Sequence, residues 1–381
     1  MATWKHNPIS QKAGGPNAVG QPGGFAWEGD HTQHVVYRGE DNQIHEVWFK
    51  KGGFNPEWKY GGAISALAGG PLAEGDPFGF AWEGDHTQHV IYRGVDHELH
   101  ELWFHQAGMN PKWQYGGALT QKAGAPAASG DPFGFAWEDD HTMHVIYRGV
   151  DNNVHELWFS KGLANAAWKY GGAINSKVSA PAATGDVAGF VWDHDHSQHI
   201  IYHGTDNNIH ELWFTKGFRS GEWKHGGALN SMAGAPPAAS DAMGFAWEGD
   251  HTQHVIYRGQ DNQVHELWFT KGLTGGAWKY GGAISAKTGA PLADGMPYGY
   301  SWENDKTMHI VYRGQDKQVH ELWFAKGLTG SSWKYGAAVN RIAGAPDAAS
   351  DPVGFAWEDD HSQHVIYRGN DAIIHELWFK K

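Results

Sequence analysis

The chain has 381 residues, of which 40% are hydrophobic and 14% aromatic, enough apolar surface for a substantial core. Its formal net charge of −13 argues against a nucleic-acid or anionic-membrane partner, and no run approaches the ~18 apolar residues that membrane insertion requires. It has no cysteine, so disulfides add no stability and the redox compartment cannot be inferred. The start, MATWKHNPIS, lacks the basic and apolar regions of a signal peptide. We therefore expect synthesis in the cytoplasm, and any release to the extracellular space would use a route that the sequence does not reveal.

Four short segments near the start of the chain predict β-strands, which we label A to D. They alternate apolar and polar residues, are rich in Val, Tyr, Trp and Phe, and are separated by turn-forming residues. In chain order they are Gly24–Glu28, His34–Gly39, Ile44–Phe49 and Glu57–Gly62. The Gly/Ala/Pro-rich connection that follows strand D has room for no more than a short helical turn.

Tryptophan marks a repeat of 55 residues. The strand A series is Trp27, Trp82, Trp137, Trp192, Trp247, Trp302 and Trp357, and the strand C series is Trp48, Trp103, Trp158, Trp213, Trp268, Trp323 and Trp378. The strand D series has six members: Trp58, Trp113, Trp168, Trp223, Trp278 and Trp333. TWKHNPIS around Trp4 resembles the strand D sequence EWKYGGAIS, so the seventh strand D lies at the N-terminus.

Seven four-stranded repeats predict an all-β fold, a seven-bladed β-propeller with antiparallel blades. The displaced segment, residues 1–10, is expected to complete the last blade and close the ring, which removes an exposed sheet edge. No linker interrupts the repeats, so residues 1–381 form one domain. An open solenoid is the alternative, but terminal caps with polar outer faces are absent.

The hairpin between strands B and C decides which side chains share a face. A two-residue loop at Asp41–Asn42 is one alternative, and a three-residue loop ending with Asn42 in the left-handed conformation is the other. We favour the second because asparagine tolerates a positive φ, although the equivalent positions are Asn152, Asn207, Asn262, His97, Lys317 and Ala372. The loop then places His34, Val36, Arg38, Glu46 and Trp48 on one face of the blade, with Val35, Tyr37, His45, Val47 and Phe49 on the other.

A face that carries imidazole, guanidinium, carboxylate and indole groups suits a sugar. Charged groups form strong hydrogen bonds with hydroxyls, and an aromatic ring covers the apolar side of a pyranose. A cleft between neighbouring blades is the natural place for such a site. The alternative left open is structural: Arg38 and Glu46 form an inter-blade ion pair, and His34 completes a buried network. Most tryptophans are expected to serve packing, with the strand C series as the stacking platform.

The sequence gives little support for a metal site, a cofactor or an active site. His31 and His34 would point to opposite faces of an extended segment, and no carboxylate or cysteine completes a standard ligand set. Lys306 replaces the first histidine of this motif in the sixth repeat. A near-identical residue set repeated seven times favours seven weak sites over one reactive constellation, so we expect a protein that is not an enzyme.

The pattern HVIYRG, DNQ, HELWF and WKYGGA resembles the repeats of bacterial and fungal β-propeller lectins, of the seven-bladed Photorhabdus type and the fucose-binding Aleuria type. In the Aleuria type an Arg on strand B and a Glu on strand C hold the sugar. By position the resemblance implies sugar-binding roles for Glu46, Glu101, Glu156, Glu211, Glu266, Glu321 and Glu376. The family's arginine position is occupied here by His34, His89, His144, His199, His254, His309 and His364. Arginine comes four residues later, at Arg38, Arg93, Arg148, Arg258, Arg313 and Arg368, and the fourth repeat has His203 there.

These features predict a multivalent carbohydrate-binding protein with up to seven inter-blade sites. Glu would accept hydrogen bonds, His and Arg would donate them, and the strand C Trp would stack on the sugar. We expect Glu266→Ala to weaken binding with little loss of fold, and Trp278→Ala mainly to destabilise. The alternatives are a propeller polysaccharide lyase or glycosidase, and a protein-binding scaffold. The partners would be glycans or glycoconjugates, and the sequence admits a homo-oligomer without requiring one.

Overall fold

The computed structural model describes residues 3–52, 56–106, 111–161, 166–216, 221–271, 276–327 and 331–381. These residues form seven antiparallel sheets of four strands each. The sheets pack in succession around an axis, and the last sheet contacts the first, so the predicted seven-bladed β-propeller is confirmed. No helix in the described ranges is long and apolar enough to cross a membrane.

The strands follow the predicted order within each blade. Strand β1 (Lys5–Pro8) comes first in the chain. The first three blades comprise β2 (Ala18–Trp27), β3 (Thr32–Gly39), β4 (Ile44–Lys50) and β5 (Lys59–Ala63); β6 (Phe78–Trp82), β7 (Thr87–Arg93), β8 (Leu99–His105) and β9 (Gln114–Ala118); and β10 (Phe133–Trp137), β11 (Thr142–Arg148), β12 (Val154–Ser160) and β13 (Lys169–Ala173). The next three comprise β14 (Ala183–Trp192), β15 (Ser197–Gly204), β16 (Ile209–Thr215) and β17 (Glu222–Ala228); β18 (Ala238–Trp247), β19 (Thr252–Gly259), β20 (Val264–Thr270) and β21 (Lys279–Ala283); and β22 (Tyr298–Trp302), β23 (Thr307–Arg313), β24 (Val319–Ala325) and β25 (Trp333–Ala338). The seventh blade contains β26 (Val353–Trp357), β27 (Ser362–Arg368) and β28 (Ile374–Lys380).

Strand β1 pairs with β28, which confirms that the N-terminal segment completes the last blade. Lys5 lies opposite Trp378, and Asn7 lies opposite Glu376. The seventh blade therefore obtains its outer strand from the other end of the chain. This pairing closes the ring and removes the sheet edge that β28 would otherwise expose.

A short helix of four or five residues follows each outer strand, in agreement with the prediction that this connection holds no more than a short helical turn. The helices are α1 (Ile9–Ala13), α2 (Ile64–Ala68), α3 (Leu119–Ala123), α4 (Ile174–Lys177), α5 (Leu229–Ala233), α6 (Ile284–Thr288) and α7 (Val339–Ile342). The second residue of each helix has a buried polar side chain that accepts a hydrogen bond from the first N–H of strand C. In the first blade the Ile44 N–H donates to Ser65 Oγ at 2.8 Å. In the seventh blade, which the N-terminal segment completes, the Ile374 N–H donates to Ser10 Oγ at 3.0 Å. The local architecture there is therefore the same as in the first blade.

The hairpin between strands B and C has the predicted three-residue loop. Arg38 lies opposite Ile44 and His34 lies opposite Trp48. Asn42 has a φ of 59°, in the left-handed region. The three departures from asparagine adopt the same conformation, with φ of 64° at His97, 64° at Lys317 and 63° at Ala372. The three-residue hairpin loop therefore requires this conformation even where the residue does not favour it.

The core lies between the blades. Val36 and Ile44 of the first blade pack on Tyr92 and Leu102 of the second, and all four side chains are fully buried. Six further clusters of the same kind occur around the ring. Because apolar contact fills the middle of each interface, the polar residues of the same face collect towards its two ends.

In six of the seven blades, a glutamate after strand A also ties the blade to the one before it. Glu83 of the second blade accepts hydrogen bonds from the backbone N–H groups of Glu28 and Gly29 in the first, at 2.8 and 3.0 Å. The ring closes in the same way, because the Glu358 N–H donates to Glu28 Oε1 at 2.8 Å. These contacts satisfy backbone donors that the turn after strand A leaves unpaired.

Candidate functional site

A cleft opens between the first and second blades at one end of their interface. It encloses about 490 Å³ and has an apolar and aromatic lining around a few polar groups. Equivalent clefts of about 420 and 570 Å³ lie between the second and third blades and between the fifth and sixth. The lining of the first includes Trp27, Asp30, His34, Glu46, Trp48, Gly61, Leu67, Gln88, Phe104, Lys112 and Trp113.

Strand pairing explains why three of the predicted residues meet here. His34 on β3 lies opposite Trp48 on β4, and Glu46 is two residues from Trp48 on the same face. Residues opposite each other and two apart on one face of a sheet are within side-chain reach. The alternation of the two strands therefore brings imidazole, carboxylate and indole together without any help from loops.

Glu46 is held in a buried hydrogen-bond network. Its Oε1 lies 2.8 Å from His34 Nδ1, and the other ring nitrogen of His34 lies 2.8 Å from Thr32 Oγ1. Trp113 of the second blade donates its indole N–H to Glu46 Oε2 at 3.1 Å. Glu46 is only 3% exposed. Each carboxylate oxygen has a second lone pair, so the network orients the carboxylate towards the cleft and leaves it able to accept more donors.

The histidine–glutamate pair recurs in every blade. The Nδ1 to Oε1 distances are 2.9 Å for His89–Glu101, 2.9 Å for His144–Glu156, 2.7 Å for His199–Glu211, 2.9 Å for His254–Glu266, 2.9 Å for His309–Glu321 and 2.8 Å for His364–Glu376. These narrow limits mean that one rigid arrangement is repeated around the ring.

Two buried polar atoms beside the cleft have no hydrogen-bond partner within the described residues. They are Nε1 of Trp27 and Oε1 of Gln88, on side chains that line the first cleft. The same Nε1 atom is unpartnered throughout the strand A series, in Trp27, Trp82, Trp137, Trp192, Trp247, Trp302 and Trp357. Buried polar groups without a partner are rare, so their repetition beside the clefts marks hydrogen-bonding capacity that the chain itself does not use.

Aromatic rings form the walls of the cleft. Trp48 is half-buried, and Lys59 Nζ lies 5.0 Å from the centroid of its ring. Phe25 stacks on His34 with ring centroids 5.3 Å apart, which fixes the imidazole plane. The strand C tryptophan is thus available as a flat apolar surface, whereas the strand A and strand D tryptophans are mostly buried.

The arginine series does not join this cluster. Arg38 is four residues from His34 along β3, about 13 Å at the rise of a strand, and its Nη2 lies 3.7 Å from Asp76 Oδ1 of the next blade. In the sixth blade Arg313 Nε donates to Asp351 at 3.0 Å. Arg148, Arg258 and Arg368 donate instead to the backbone carbonyls of Gly185, Gly295 and Gly20. The structure thus brings His, Glu and Trp together and places Arg at the opposite end of the face; the ion pair considered for Arg38 and Glu46 is formed by Arg38 and Asp76.

Aspartates surround a separate cavity of about 290 Å³ on the propeller axis. They are Asp76, Asp131, Asp186, Asp241 and Asp351. Burial, together with repulsion from Asp186 and Asp76, raises the pKa of Asp131 to about 7. Burial and Asp186 likewise raise the pKa of Asp241 to about 6. Each aspartate can also accept a hydrogen bond from the backbone of the preceding blade. The Gln21 N–H, for example, donates to Asp76 Oδ2 at 2.8 Å.

The sequence analysis did not identify some residues of the site. The strand D tryptophans, expected only to pack, donate to the glutamate of the preceding blade, as Trp278 does to Glu211 at 3.1 Å. Gln33 donates across the seam to Glu376 at 3.0 Å. Their 55-residue spacing was visible, but which blade each side chain reaches depends on the packing between sheets. Within the described residues, no group of three or more His, Asp or Glu is arranged to hold a metal ion.

No known family profile matches the sequence, and no curated protein matches it. Solved structures share its fold. A lectin from Burkholderia pseudomallei is 10% identical with a TM-score of 0.66, over 95% of this chain and 96% of that one. The six-bladed fucose-binding lectin of Aleuria aurantia is 17% identical with a TM-score of 0.56, over 87% and 99%. AofleA from Arthrobotrys oligospora is 14% identical with a TM-score of 0.54, over 88% and 90%. The resemblance to propeller lectins is confirmed at the level of the fold.

Proposed function

We propose that this protein is a multivalent carbohydrate-binding protein that binds one glycan residue in each open inter-blade cleft. The observation that carries the proposal is the repeated cleft itself. Each cleft combines a rigidly held carboxylate such as Glu46, an aromatic wall such as Trp48, and the unpartnered indole N–H of a strand A tryptophan such as Trp27. The first cleft adds the unpartnered Oε1 of Gln88, where the other two described clefts have Met143 and Met308. A sugar presents hydroxyls that both donate and accept, and an apolar ring face, so it matches each of these features.

The three functional side chains have distinct roles in this proposal. The glutamate accepts hydrogen bonds from sugar hydroxyls, and its charge strengthens them. The histidine holds the glutamate in place through its 2.8 Å contact and is a positioning residue. The half-buried strand C tryptophan stacks on the sugar ring. The arginines, which lie at the axial end of the interface, have no part in the site in this proposal.

Repetition supports binding without turnover. A reaction needs one pocket that is complementary to one transition state, whereas this chain repeats the same polar set around the ring. Several weak sites on one rigid body bind a multivalent surface with an avidity that exceeds the single-site affinity by orders of magnitude. The structural neighbours include a lectin solved in complex with alpha-methyl-L-fucoside, which supports glycans as the ligand class and fucosides as the first probe.

A glycan array with the labelled full-length chain tests this proposal. We expect selective binding to a small set of glycans, and competition by the matching monosaccharide. A triple variant, Trp48→Ala, Trp103→Ala and Trp268→Ala, should keep its circular dichroism spectrum and bind three fewer sugars in calorimetry. The matched control is Asp139→Asn, whose side chain is 56% exposed. An array without any signal would refute carbohydrate binding, and release of cleaved products from a polysaccharide would favour an enzyme.

A further inference from the structure

The seam between the seventh and first blades differs from the other six interfaces at the carboxylate. In the first blade the pairing of β4 with β5 shifts register after Glu46, and a Gly61–Gly62 pair forms a bulge there. In the seventh blade β28 pairs with β1 without a shift, and Asn7 lies directly opposite Glu376. One asparagine therefore stands where five of the other blades have two glycines and the sixth blade has Gly336 and Ala337.

The glycines give the carboxylate oxygen the space that a side chain would otherwise take. A Cβ added to Gly61 would lie 2.2 Å from Glu46 Oε2, closer than such atoms approach in proteins. The equivalent distances are 2.1 Å at Gly116, 2.2 Å at Gly171, 2.2 Å at Gly226, 2.2 Å at Gly281 and 2.3 Å at Gly336. Gly61, Gly116 and Gly281 line the three clefts described above. The absence of a side chain at this point thus keeps Oε2 next to the cleft.

At the seam a polar side chain lies beside the carboxylate. Asn7 donates its amide N–H to Glu376 Oε2 at 2.8 Å. Lys12 Nζ donates to Asn7 Oδ1 at 2.6 Å, which turns the amide so that its NH₂ group faces the carboxylate. The ordinary interface supplies no such donor from its outer strand, because glycine has no side chain.

Glu376 consequently has its acceptor sites filled by the protein. Trp58 donates to Oε2 at 3.1 Å in addition to Asn7, while Gln33 donates to Oε1 at 3.0 Å and His364 lies 2.8 Å from it. The side chain of Glu376 is 1% exposed, against 5–6% for the glutamates of the other six blades. A carboxylate has about four acceptor positions, so none remains for a ligand.

We infer that Asn7 occupies the seventh cleft as a built-in substitute for the ligand, so that the protein has six ligand sites. The same contact identifies the ligand group. The atom that meets Glu Oε2 in the open clefts is a hydrogen-bond donor, a hydroxyl or an amide N–H, in the position of the Asn7 amide. This inference rests on the proposed function for the identity of the ligand, but the closed seam is a property of the chain alone.

Crystals of the full-length chain, grown without glycerol and soaked in methyl α-L-fucoside, test the inference directly. We expect a fucoside hydroxyl on Oε2 of the six glutamates that face glycine, and only protein atoms on Oε2 of Glu376. If only waters occupy the six positions, the fucoside form of the proposed function fails while the closed seam stands. A fucoside or water on Glu376 Oε2, or no occupant at any of the six, would overturn the inference.

Two variants provide the solution test by calorimetry with the same fucoside. Wild type should bind six fucosides, Asn7→Gly seven and Gly281→Ala five, with unchanged affinity at the remaining sites. Gly281→Ala leaves the seam intact, so it remains informative if Asn7→Gly fails to close the ring. Seven sites in wild type, or an unchanged number in a folded variant, would contradict the inference. If no fucoside binds to any form, the water positions in the crystal decide.

Discussion

Glu376 at the seam and Asp131 on the axis are both carboxylates within the ring, but folding shifts their pKa values in opposite directions. Burial alone would raise the pKa of Glu376, but hydrogen bonds from His364, Asn7 and Gln33 lower it below its usual value. At Asp131 burial dominates, and repulsion from neighbouring aspartates adds to it, so its pKa rises to about 7. Asp131 keeps 30% of its side chain exposed, whereas Glu376 keeps 1%.

The more deeply buried carboxylate is thus the more acidic one. Donors decide the difference, because each hydrogen bond to the charged form offsets part of the cost of removing it from water. Glu376 has donors from the seventh and first blades, whereas Asp131 faces the like charges of Asp76 and Asp186. We conclude that the charge of Glu376 is stabilised at the seam, whereas the charge of Asp131 is destabilised at the axis.

Removal of a cleft carboxylate should have the largest effect on stability. Glu266→Ala leaves His254 and Trp333, its partners at 2.9 Å each, without an acceptor. We expect the free energy of unfolding to fall by about 3–5 kcal/mol, as for one partner removed from a buried pair, in urea-induced unfolding. This replaces the sequence-based expectation of little loss of fold. The exposed Glu222→Ala control should lose less than about 0.5 kcal/mol, and equal losses would contradict the buried network.

Removal of an axial charge should have the opposite sign. Asp131→Asn keeps the shape of the side chain and abolishes its repulsion of Asp76 and Asp186. We expect the free energy of unfolding at pH 8 to rise, on the order of 2 kcal/mol once partial solvent exposure is allowed for. Asp139→Asn, at an exposed site, should change little. A destabilised Asp131→Asn would show that this carboxylate is needed as a backbone acceptor.

The pH dependence of stability should reflect both the raised pKa values of the axial aspartates and the lowered pKa of Glu376. Asp131 and Asp241 bind protons more tightly in the folded state than at their unfolded pKa of ~3.9, so stability falls as pH rises from about 4 to 7. Glu376 has a lowered folded pKa, so its contribution is present above ~4.3 and is lost as pH falls through the folded value. Urea unfolding between pH 3 and 8 should therefore show a maximum between these limits. The Asp131→Asn, Asp241→Asn double variant should lose the decline above pH 5 and keep the decline in acid.

The smallest effect on stability is expected at the cleft wall. Trp268 is half-buried and contacts Lys279, whose Nζ lies 4.5 Å from the ring centroid. Trp268→Ala should cost about 1 kcal/mol of stability, the value of an exposed cation–π contact with some packing, while it abolishes sugar binding in one cleft. Calorimetry and thermal unfolding of one preparation separate the two effects. A stability loss as large as that of Glu266→Ala would assign the indole to the core.

The fold could be predicted because each signal was local or periodic. The 55-residue tryptophan spacing counted the blades, and the Trp4 segment identified the strand that closes the ring. The left-handed residue Asn42 set the hairpin register and thereby the side chains that share a face. These are properties of single strands and turns, which a sequence records directly.

The site could be predicted only in part, because it belongs to two blades. The face that carries His34 and Glu46 followed from strand alternation. The direction of Arg38 towards Asp76, and the donation from Trp113 to Glu46, depend on the angle and offset between sheets. The role of Asn7 depends on the absence of a bulge where β1 pairs with β28. The sequence around Asn7 does not indicate that its side chain contacts Glu376, which lies 369 positions away.

The pairing of β1 with β28 also places the two ends of the chain in one sheet. During synthesis, Lys5–Pro8 leaves the ribosome early and has no strand to pair with until His375–Trp378 has been made. Contacts distant in sequence are paid for by loop closure before they form, and they slow folding. We therefore expect ring closure to be a late event in folding, and a nascent chain that stops before His375 would lack every partner of β1.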